Sequence, residues 1–209
     1  MVKELKAVEY NSVWEVVRLP KIVHVLHTKW VYKANLDAEG LIKWLKARLV
    51  ACENDQIFGV NYSVTFAAVI DMSSVKLILA LTRKWHVPVK HGDVPNAFVK
   101  ADKGEILRIY IRMSQGMEIP EEILKGLGVE TGAEVVPELK KAHYGLKPAG
   151  RLWSKLLHSK LVEFGFFSPE SRGYMCVLQV HMAGVLIVVG VCVDDFLVIG
   201  TQQHAVKFF

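Results

Sequence analysis

The stretch Val191-Cys192-Val193-Asp194-Asp195-Phe196-Leu197-Val198-Ile199 decides the fold, because it places two adjacent carboxylates between two apolar runs. Each run has the length and residue types of a β-strand, so the stretch predicts a tight hairpin with Asp194 and Asp195 at its tip. Burying an ionised carboxylate is costly unless a partner compensates it, and two neighbouring carboxylates also repel each other. The pair therefore indicates either a divalent cation at the tip or an ordinary solvent-exposed Asp-Asp turn.

A third carboxylate, that of Asp93, favours the cation. It ends a short strand-like run, residues 87–93, and Val94-Pro95-Asn96-Ala97-Phe98 follows it. If that strand lies beside the hairpin, three carboxylates converge at one edge of a sheet. Mg²⁺ prefers oxygen ligands of this kind, and two such ions can serve in-line displacement at phosphorus.

The surrounding sequence predicts a mixture of helices and strands. Residues 29–33 alternate in strand fashion, and a turn at residues 35–40 leads to a return strand, residues 41–50. Residues 73–85 and 151–164 have the apolar spacing of helices. The other predictions are a cap at Ser73 and Ser74, a helix through residues 95–100, strands at residues 106–111 and 174–199, and a loop with one short helix at residues 116–132. Without a regular βαβ repeat, this order favours an α+β fold.

Composition excludes several classes of protein. The chain has 209 residues, of which 52% are hydrophobic and 22% charged, which is typical of a globular protein and excludes intrinsic disorder. Three scattered cysteines exclude a disulfide framework. The N-terminus lacks the apolar core of a signal peptide. The longest apolar run, residues 185–200, is shorter than a membrane span and contains two aspartates. We therefore expect a protein that is neither secreted nor inserted in a membrane.

The net charge of +5 is uninformative as a total, but its distribution is not. Two basic stretches, residues 21–50 and 139–162, bracket an acidic one, residues 118–138. The second basic stretch contains six Lys and Arg residues and no acid. Each run taken alone is most simply a solvated face, whereas together they also suit an anionic partner.

An ordered set of motifs gives the sequence a specific resemblance. The chain resembles the reverse transcriptase domain of copia-type LTR retrotransposons (Pseudoviridae-like Pol polyproteins) over nearly its whole length. The motifs that carry the resemblance are, in order, Lys29-Trp30-Val31-Tyr32-Lys33, Lys46-Ala47-Arg48-Leu49-Val50-Ala51, Thr65-Phe66-Ala67, Asp93-Val94 with Asn96-Ala97-Phe98, Ile109-Tyr110, Tyr144-Gly145-Leu146-Lys147, Arg151 with Trp153, and Val193-Asp194-Asp195.

The resemblance implies a right-hand polymerase fold for residues 1–209. Fingers are expected at about residues 14–68 and 113–149. The palm, a ferredoxin-like antiparallel sheet with packed helices, is expected at about residues 69–112 and 150–209. Because the sequence ends soon after the Val-Asp-Asp hairpin, we expect a fragment that lacks the thumb and holds a primer terminus poorly.

The resemblance also implies a chemistry for the three carboxylates. Asp93, Asp194 and Asp195 would be the catalytic residues and the ligands of two Mg²⁺ ions, for which Mn²⁺ can substitute. The reaction would be RNA-directed DNA polymerisation, in which a primer 3′-hydroxyl attacks the α-phosphate of a dNTP and pyrophosphate leaves.

Substrate contacts follow from the same resemblance. Lys46 and Arg48 would supply cations to the dNTP phosphates, although spacing leaves open which of the two points inward. Phe98 would lie under the incoming sugar, where its ring would clash with a 2′-hydroxyl. Four residues would contact template and primer. These are Tyr144, Gly145, Lys147 and Arg151.

The implied partners are an RNA or DNA template-primer, a dNTP and the rest of a Pol polyprotein, with its thumb, RNase H and integrase. The implied location is the cytoplasm, in a virus-like particle, or the nucleus. One alternative is a non-catalytic nucleic-acid-binding remnant, whose binding would weaken steeply with salt. Another is a two-metal phosphohydrolase or a different nucleotidyl transferase, because carboxylates alone do not specify the substrate.

Overall fold

The structure is a computed structural model that describes residues 1–104, 108–167, 177–182 and 184–201. The described helices are α1 (Val2–Tyr10), α2 (Met72–Trp85), α3 (Glu121–Leu127) and α4 (Ala149–Glu163). The described strands are β1 (Trp14–Arg18), β2 (Val25–Leu26), β3 (Thr28–Leu36), β4 (Ile42–Ala51), β5 (Lys90–Asp93), β6 (Tyr110–Ile111), β7 (Val135–Leu139), β8 (Val177–Met182), β9 (Val185–Cys192) and β10 (Asp195–Gly200). The predicted mixture of helices and strands is therefore confirmed.

The chain divides into two compact units. The first comprises Met1–Thr65 and Phe98–Leu152, and the second comprises Phe66–Ala97 and Trp153–Phe209. Both units are discontinuous in sequence, so the chain passes from the first to the second and back before it ends in the second. The assignment of fingers and palm to parts of the chain stays a prediction.

The first unit contains a four-stranded sheet and a separate hairpin. The sheet has the order β1-β7-β6-β2, with β7 antiparallel to both of its neighbours and β2 parallel to β6. The hairpin pairs β3 with β4 along their length, as the alternating residues 29–33 and the turn after them predict. The most deeply buried core residues of this unit, at most 2% exposed, include Val13, Leu26, Ile109, Ile111 and Leu139.

The second unit contains an antiparallel sheet with the order β5-β10-β9-β8. On one face, Ile78 of α2 packs with Val188 and Ile199. On the other face, Leu161 of α4 packs with Val189 and Val198. Because helices cover both faces, β9 and β10 are apolar at successive positions instead of alternating, which is why the sequence of residues 185–200 is an unbroken apolar run.

The two long helices confirm their predictions, with one correction to a cap. The predicted helix at residues 73–85 is α2, but Asp71 caps it, and its carboxylate accepts hydrogen bonds from the Ser73 and Ser74 backbone N–H groups. The helix predicted at residues 151–164 is α4, which begins two residues earlier. Gly165, with φ of 86°, follows its end.

The predicted helix at residues 95–100 is wrong. Asn96 has φ of 56°, a left-handed conformation that an α-helix does not accommodate, and only one 3-10 turn forms at Phe98–Lys100. The strand predicted at residues 106–111 is observed only as β6, and residues 105–107 lie outside the described residues. Within the strand-rich segment predicted at residues 174–199, residues 174–176 and 183 also lie outside the described residues.

Four of the helices and strands named above were not predicted, namely α1, β1, β2 and β7. The prediction of a loop with one short helix at residues 116–132 is confirmed by α3, but the acidic stretch continues into β7, a strand whose five residues are all buried. Glu138 of this strand lies 3.4 Å from Lys103 and 3.2 Å from Lys140. Burial alone would raise the pKa of Glu138, but these two ammonium groups hold it below its usual range. No helix among the described residues is long and apolar enough to cross a membrane.

Candidate active site

Strand pairing in the second unit brings Asp93 and Asp195 directly opposite each other. Asp93 is the last residue of β5, Asp195 is the first of β10, and the two form an antiparallel pair. Directly paired residues project from the same side of a sheet with Cβ atoms about 4.5–5.5 Å apart. Asp194 precedes Asp195 in the turn, and its backbone carbonyl accepts a hydrogen bond of 3.0 Å from the Val94 N–H. The strand that ends at Asp93 therefore lies beside the hairpin, which is the condition for the three carboxylates to converge.

The turn that carries Asp194 is held by a tryptophan. Val193 has φ of 58°, a conformation that is strained for a β-branched residue. The indole N–H of Trp153 donates a hydrogen bond of 2.7 Å to the Val193 carbonyl, and Trp153 is only 4% exposed. This buried donor stabilises the turn conformation that presents the two carboxylates.

The carboxylates of this turn have little compensation from other side chains. Asp195 Oδ1 lies 3.0 Å from His91 Nε2, and both side chains are exposed. Asp194 is half-buried, and no described residue forms a hydrogen bond or ion pair with its carboxylate. A partly buried carboxylate without a partner favours a cation nearby.

The donor set fits a hard divalent cation, although the side chains do not enclose one. Three carboxylates at one end of paired strands offer the oxygen ligands that Mg²⁺ prefers. Within the described ranges, no group of three or more His, Cys, Asp or Glu side chains is already arranged to hold a metal ion. Binding would therefore require side-chain rotation, including release of Asp195 from His91.

In the first unit, the β3–β4 hairpin has one cationic face. The register pairs Lys29 with Val50, Val31 with Arg48 and Lys33 with Lys46. Paired residues and residues two apart share a face, so Lys46 and Arg48 point to the same side of the hairpin. Which of the two contacts a dNTP stays open. We call Lys29, Lys33, Lys46 and Arg48 the cationic face.

The cationic face is not neutralised by ion pairs. None of its four side chains forms one within the described part of the chain. The Arg48 charge lowers the pKa of the Glu4 carboxyl, but burial outweighs this effect and raises that pKa overall. Lys33 lies directly opposite Lys46, and like charges in that position are destabilising. An arrangement that costs folding stability and concentrates positive charge favours an anionic ligand.

Aromatic rings fix one cation of this face. The guanidinium of Arg48 lies 4.4 Å from the centroid of the Tyr144 ring, at a distance typical of a cation–π contact. The Tyr144 ring in turn lies 5.6 Å from that of Phe98, at an angle of 54°. The structure thus places three of the predicted dNTP and template residues together.

The predicted template turn requires glycine. Gly145 has φ of 84°, and a Cβ at this position would overlap the Ala51 carbonyl oxygen and lie 2.6 Å from Val50 Cγ1. The turn therefore packs its backbone directly on the base of the hairpin, where the Ala51 N–H also donates to the Tyr144 carbonyl at 2.9 Å. Only a residue without a side chain permits this approach.

A buried glutamine also holds this turn. Gln56 is 5% exposed, and its Nε2 donates to the Gly145 carbonyl at 2.7 Å. Its Oε1 accepts from the Lys147 N–H at 2.8 Å. The Lys147 ammonium lies 4.6 Å from the centroid of the Tyr62 ring, while Arg151 is half-buried in the first turn of α4.

His143, beside the turn, is buried in an apolar environment. Neither ring nitrogen has a hydrogen-bond partner among the described residues, and the Trp14 ring lies 6.2 Å away, edge to face. Burial lowers the pKa of His143 to about 4. The side chain is therefore neutral at physiological pH and does not contribute charge to the cationic face.

The sequence matches a known family over almost its whole length. Residues 11–209 match the family described as reverse transcriptase (RNA-dependent DNA polymerase). The chain belongs to the reverse transcriptase family. The match includes both the carboxylate positions and the hairpin, and it confirms the resemblance that the ordered motifs predicted.

Relatives of this reverse transcriptase domain are retrotransposon polyproteins. The chain is 32% identical to the retrovirus-related Pol polyprotein from transposon RE1 of Arabidopsis thaliana, covering 97% of the chain and 13% of the relative. It is 30% identical to the retrovirus-related Pol polyprotein from transposon RE2 of the same plant, and the match covers 99% of the chain and 13% of that relative. It is 28% identical to the retrovirus-related Pol polyprotein from transposon TNT 1-94 of Nicotiana tabacum, and the match covers 97% of the chain and 14% of that relative. The domain thus spans about an eighth of these relatives, and no solved structure matches it.

Sequence reasoning missed the contacts of four side chains beside the predicted site residues, Trp153 and His91 in the second unit and Gln56 and His143 in the first. Trp153 belongs to a motif of the sequence, but its hydrogen bond to the Val193 carbonyl and those of Gln56 to Gly145 and Lys147 join residues far apart in the chain, which no local pattern indicates. His91, two residues before Asp93 in a strand, could have been placed beside the carboxylates from strand alternation. His143 directly precedes the Tyr144 motif, but its burial depends on the fold.

Proposed function

We propose that the chain is the catalytic core of an RNA-directed DNA polymerase that transfers a dNTP to a primer 3′-hydroxyl. The observation that carries the proposal is the pairing of Asp93 with Asp195 beside the uncompensated carboxylate of Asp194. Membership of the reverse transcriptase family supports the same reaction. The hydroxyl oxygen would bond to the α-phosphorus while the bond to pyrophosphate breaks.

The three carboxylates would hold two Mg²⁺ ions, with Mn²⁺ as a substitute. When bound, such ions supply positive charge against the attacking and leaving oxygens of an in-line displacement. Asp93 and Asp194 would be ligands shared between the two ions, and Asp195 would complete the set. The hydrogen bonds of Trp153 and Val94 to the turn would orient these carboxylates.

The cationic face would bind the triphosphate of the dNTP. Lys46 and Arg48 share this face, and stacking on Tyr144 limits the freedom of the Arg48 guanidinium before a ligand arrives. Lys33, directly opposite Lys46, would add a further cation. Phe98 would lie under the sugar, where an aromatic ring excludes a 2′-hydroxyl by steric overlap.

The turn at Gly145 would contact template and primer. Tyr144, Gly145, Lys147 and Arg151 lie on the turn and the start of α4, in a stretch without acidic residues. By this proposal the fingers comprise about residues 14–68 and 113–149, and the palm comprises about residues 69–112 and 150–209. The domain would act with the other parts of a Pol polyprotein where these are present.

Primer extension tests this proposal. The wild-type chain, Asp194→Asn and Asp102→Asn would each be given poly(rA)/oligo(dT), dTTP and Mg²⁺. Asp102 is an exposed carboxylate in the first unit and serves as the matched control. We expect incorporation by the wild type and the control, and a loss of at least about 100-fold in Asp194→Asn. Equal incorporation by all three proteins, or template-primer binding without incorporation by the wild type, contradicts the proposal.

A further inference from the structure

The loop of residues 56–62, which we call loop 56–62, is held by hydrogen bonds at both ends. Gln56, at its start, is fixed to the backbone of the Gly145 turn. Ile57 and Asn61 exchange two hydrogen bonds, from the Ile57 N–H to Asn61 Oδ1 at 3.1 Å and from the Asn61 N–H to the Ile57 carbonyl at 2.9 Å. The Gly59 N–H donates to the Tyr62 carbonyl at 2.8 Å. Few backbone rearrangements are compatible with all of these bonds.

Despite this order, loop 56–62 presents apolar side chains to solvent. Phe58 is 70% exposed, and Ile57 and Val60 are each 48% exposed. Apolar side chains that stay exposed contribute little to the free energy of folding. Polar side chains at the same exposed positions would leave the stability of the loop unchanged, so folding does not account for the apolar residues. Several exposed apolar side chains on one hydrogen-bonded loop are typical of a binding surface.

The neighbours of Phe58 limit the kind of ligand. Its ring packs edge to face on that of Tyr62, at 5.7 Å between centroids and 77° between planes. The Lys147 ammonium lies 4.6 Å from the Tyr62 centroid and donates a hydrogen bond of 3.4 Å to the Tyr62 hydroxyl. Lys147 belongs to the stretch of residues 139–162, which contains no acid. An apolar partner alone would not require this cation.

We propose that Phe58, Tyr62 and Lys147 form a stacking platform for single-stranded nucleic acid. One base would stack on the exposed face of Phe58, Tyr62 would fix the Phe58 ring, and Lys147 would contact the adjacent phosphate. Aromatic rings beside a cation suit single strands because every base has a π-face and every linkage carries a negative charge. The identification of this strand as the template rests on the proposed polymerase function.

Strand binding by matched variants of the full chain tests the platform. Fluorescence anisotropy would measure the affinity for a short labelled oligo(rA) across a salt series. The variants are Phe58→Ala, Phe164→Ala and Lys147→Gln. Phe164 is the matched control, because it is 69% exposed and lies at the end of α4 in the second unit.

The two parts of the platform have different expected signatures. Phe58→Ala should weaken binding roughly tenfold with an unchanged salt dependence, because it removes stacking and no charge. Lys147→Gln should reduce the slope of log affinity against log salt by about 0.7, the value for one phosphate contact on a single strand. Phe164→Ala should bind as the wild type does. Because Phe58 is exposed, Phe58→Ala should keep the wild-type circular dichroism and melting temperature.

Failure of the platform and failure of the polymerase proposal give different results. Normal strand binding by Phe58→Ala overturns the platform, and so does wild-type protein that extends primers but does not bind oligo(rA) at low salt. If Phe58→Ala instead changes the sedimentation coefficient of the protein without changing strand binding, the surface binds protein, and the platform is again wrong. A wild type that binds oligo(rA) through Phe58 but does not extend primers contradicts the polymerase proposal alone.

Discussion

In the second unit, hydrogen bonds from Trp153 and Val94 fix the backbone around the carboxylates, while the Asp194 side chain has no described partner. In the first unit the side chains themselves are fixed, since Arg48 stacks on Tyr144 and Lys147 on Tyr62. The second unit therefore orders the backbone that carries its functional groups, whereas the first unit orders the side chains themselves.

The difference follows from the chemistry of the two kinds of group. A carboxylate has a short side chain, so a fixed backbone already determines where its oxygens can lie, and rotation remains available for coordination. Lys and Arg have long side chains that lose about 2 kcal/mol of rotamer entropy when they are ordered. When these side chains stack on aromatic rings, they lose part of that rotamer entropy on folding, so less is lost when the ligand binds.

The largest expected effect tests the close approach of the Gly145 turn to the hairpin. Gly145→Ala should destabilise the protein by more than about 3 kcal/mol, because the new Cβ overlaps the Ala51 carbonyl. Gly40 has nearly the same φ, 83° against 84°, but a Cβ added there would meet no atom within 4 Å, so Gly40→Ala should cost only about 1 kcal/mol. Urea unfolding of both variants measures the difference between their free energies of unfolding. Equal losses would mean that position 145 requires glycine for its positive φ alone and not for the close approach to Ala51.

The next effect concerns the buried His143. The folded state holds its pKa at about 4, below that of an unfolded histidine, so the unfolded state binds more protons between these values. Stability should therefore fall as the pH is lowered from about 6.5 to about 4, by up to roughly 3 kcal/mol. Unfolding measured across this window should show a smaller fall for His143→Leu, and identical pH profiles would contradict the burial of a neutral ring.

A smaller effect tests the tryptophan that holds the carboxylate turn. Trp153→Phe keeps an aromatic ring but leaves the Val193 carbonyl without its donor, which should cost about 1–3 kcal/mol. Amide hydrogen exchange at Asp194 and Asp195 should also accelerate. Trp85→Phe is the control, since Trp85 packs in the same unit without a hydrogen bond from its indole to any described residue. If both variants exchange as the wild type does, the hydrogen bond does not hold the turn.

The smallest effect tests the like-charge pair of the cationic face. Lys33→Gln should stabilise the protein by about 0.2–1 kcal/mol at low salt, because Lys46 lies directly opposite. The gain should disappear at high salt, where the repulsion is screened. Lys100→Gln, at an exposed position outside the hairpin, should show neither change. A loss of stability in Lys33→Gln would mean that the pair is not repulsive.

The sequence predicted those parts of the structure that depend on local patterns. Apolar spacing located α2 and α4, alternation with a turn located the β3–β4 hairpin, and the Asp-Asp turn between two apolar runs located β9 and β10. These signals lie within short segments, so a single chain segment suffices to show them. The approach of Asp93 to the Asp194–Asp195 turn was expected only if the strand that ends at Asp93 lay beside the hairpin.

The parts that were missed depend on residues distant in sequence. The strand β7 was obscured by its one acidic residue, Glu138, because the cations that compensate it come from Lys103 and Lys140 outside the strand. The short helix expected after Pro95 failed because Asn96 adopts a left-handed conformation. Gln56 and Phe58 had no pattern of their own, and their significance depends on the Gly145 turn folding against them.

Metal binding tests the central claim about the carboxylates most directly, and it does not depend on catalysis. Electron paramagnetic resonance would follow free Mn²⁺ in titrations of the wild type, Asp194→Asn and the control Asp102→Asn. We expect that the wild type and the control bind Mn²⁺, that Mg²⁺ displaces it, and that Asp194→Asn binds at least about tenfold more weakly. Equal Mn²⁺ affinity in all three proteins would contradict a metal site at Asp93, Asp194 and Asp195.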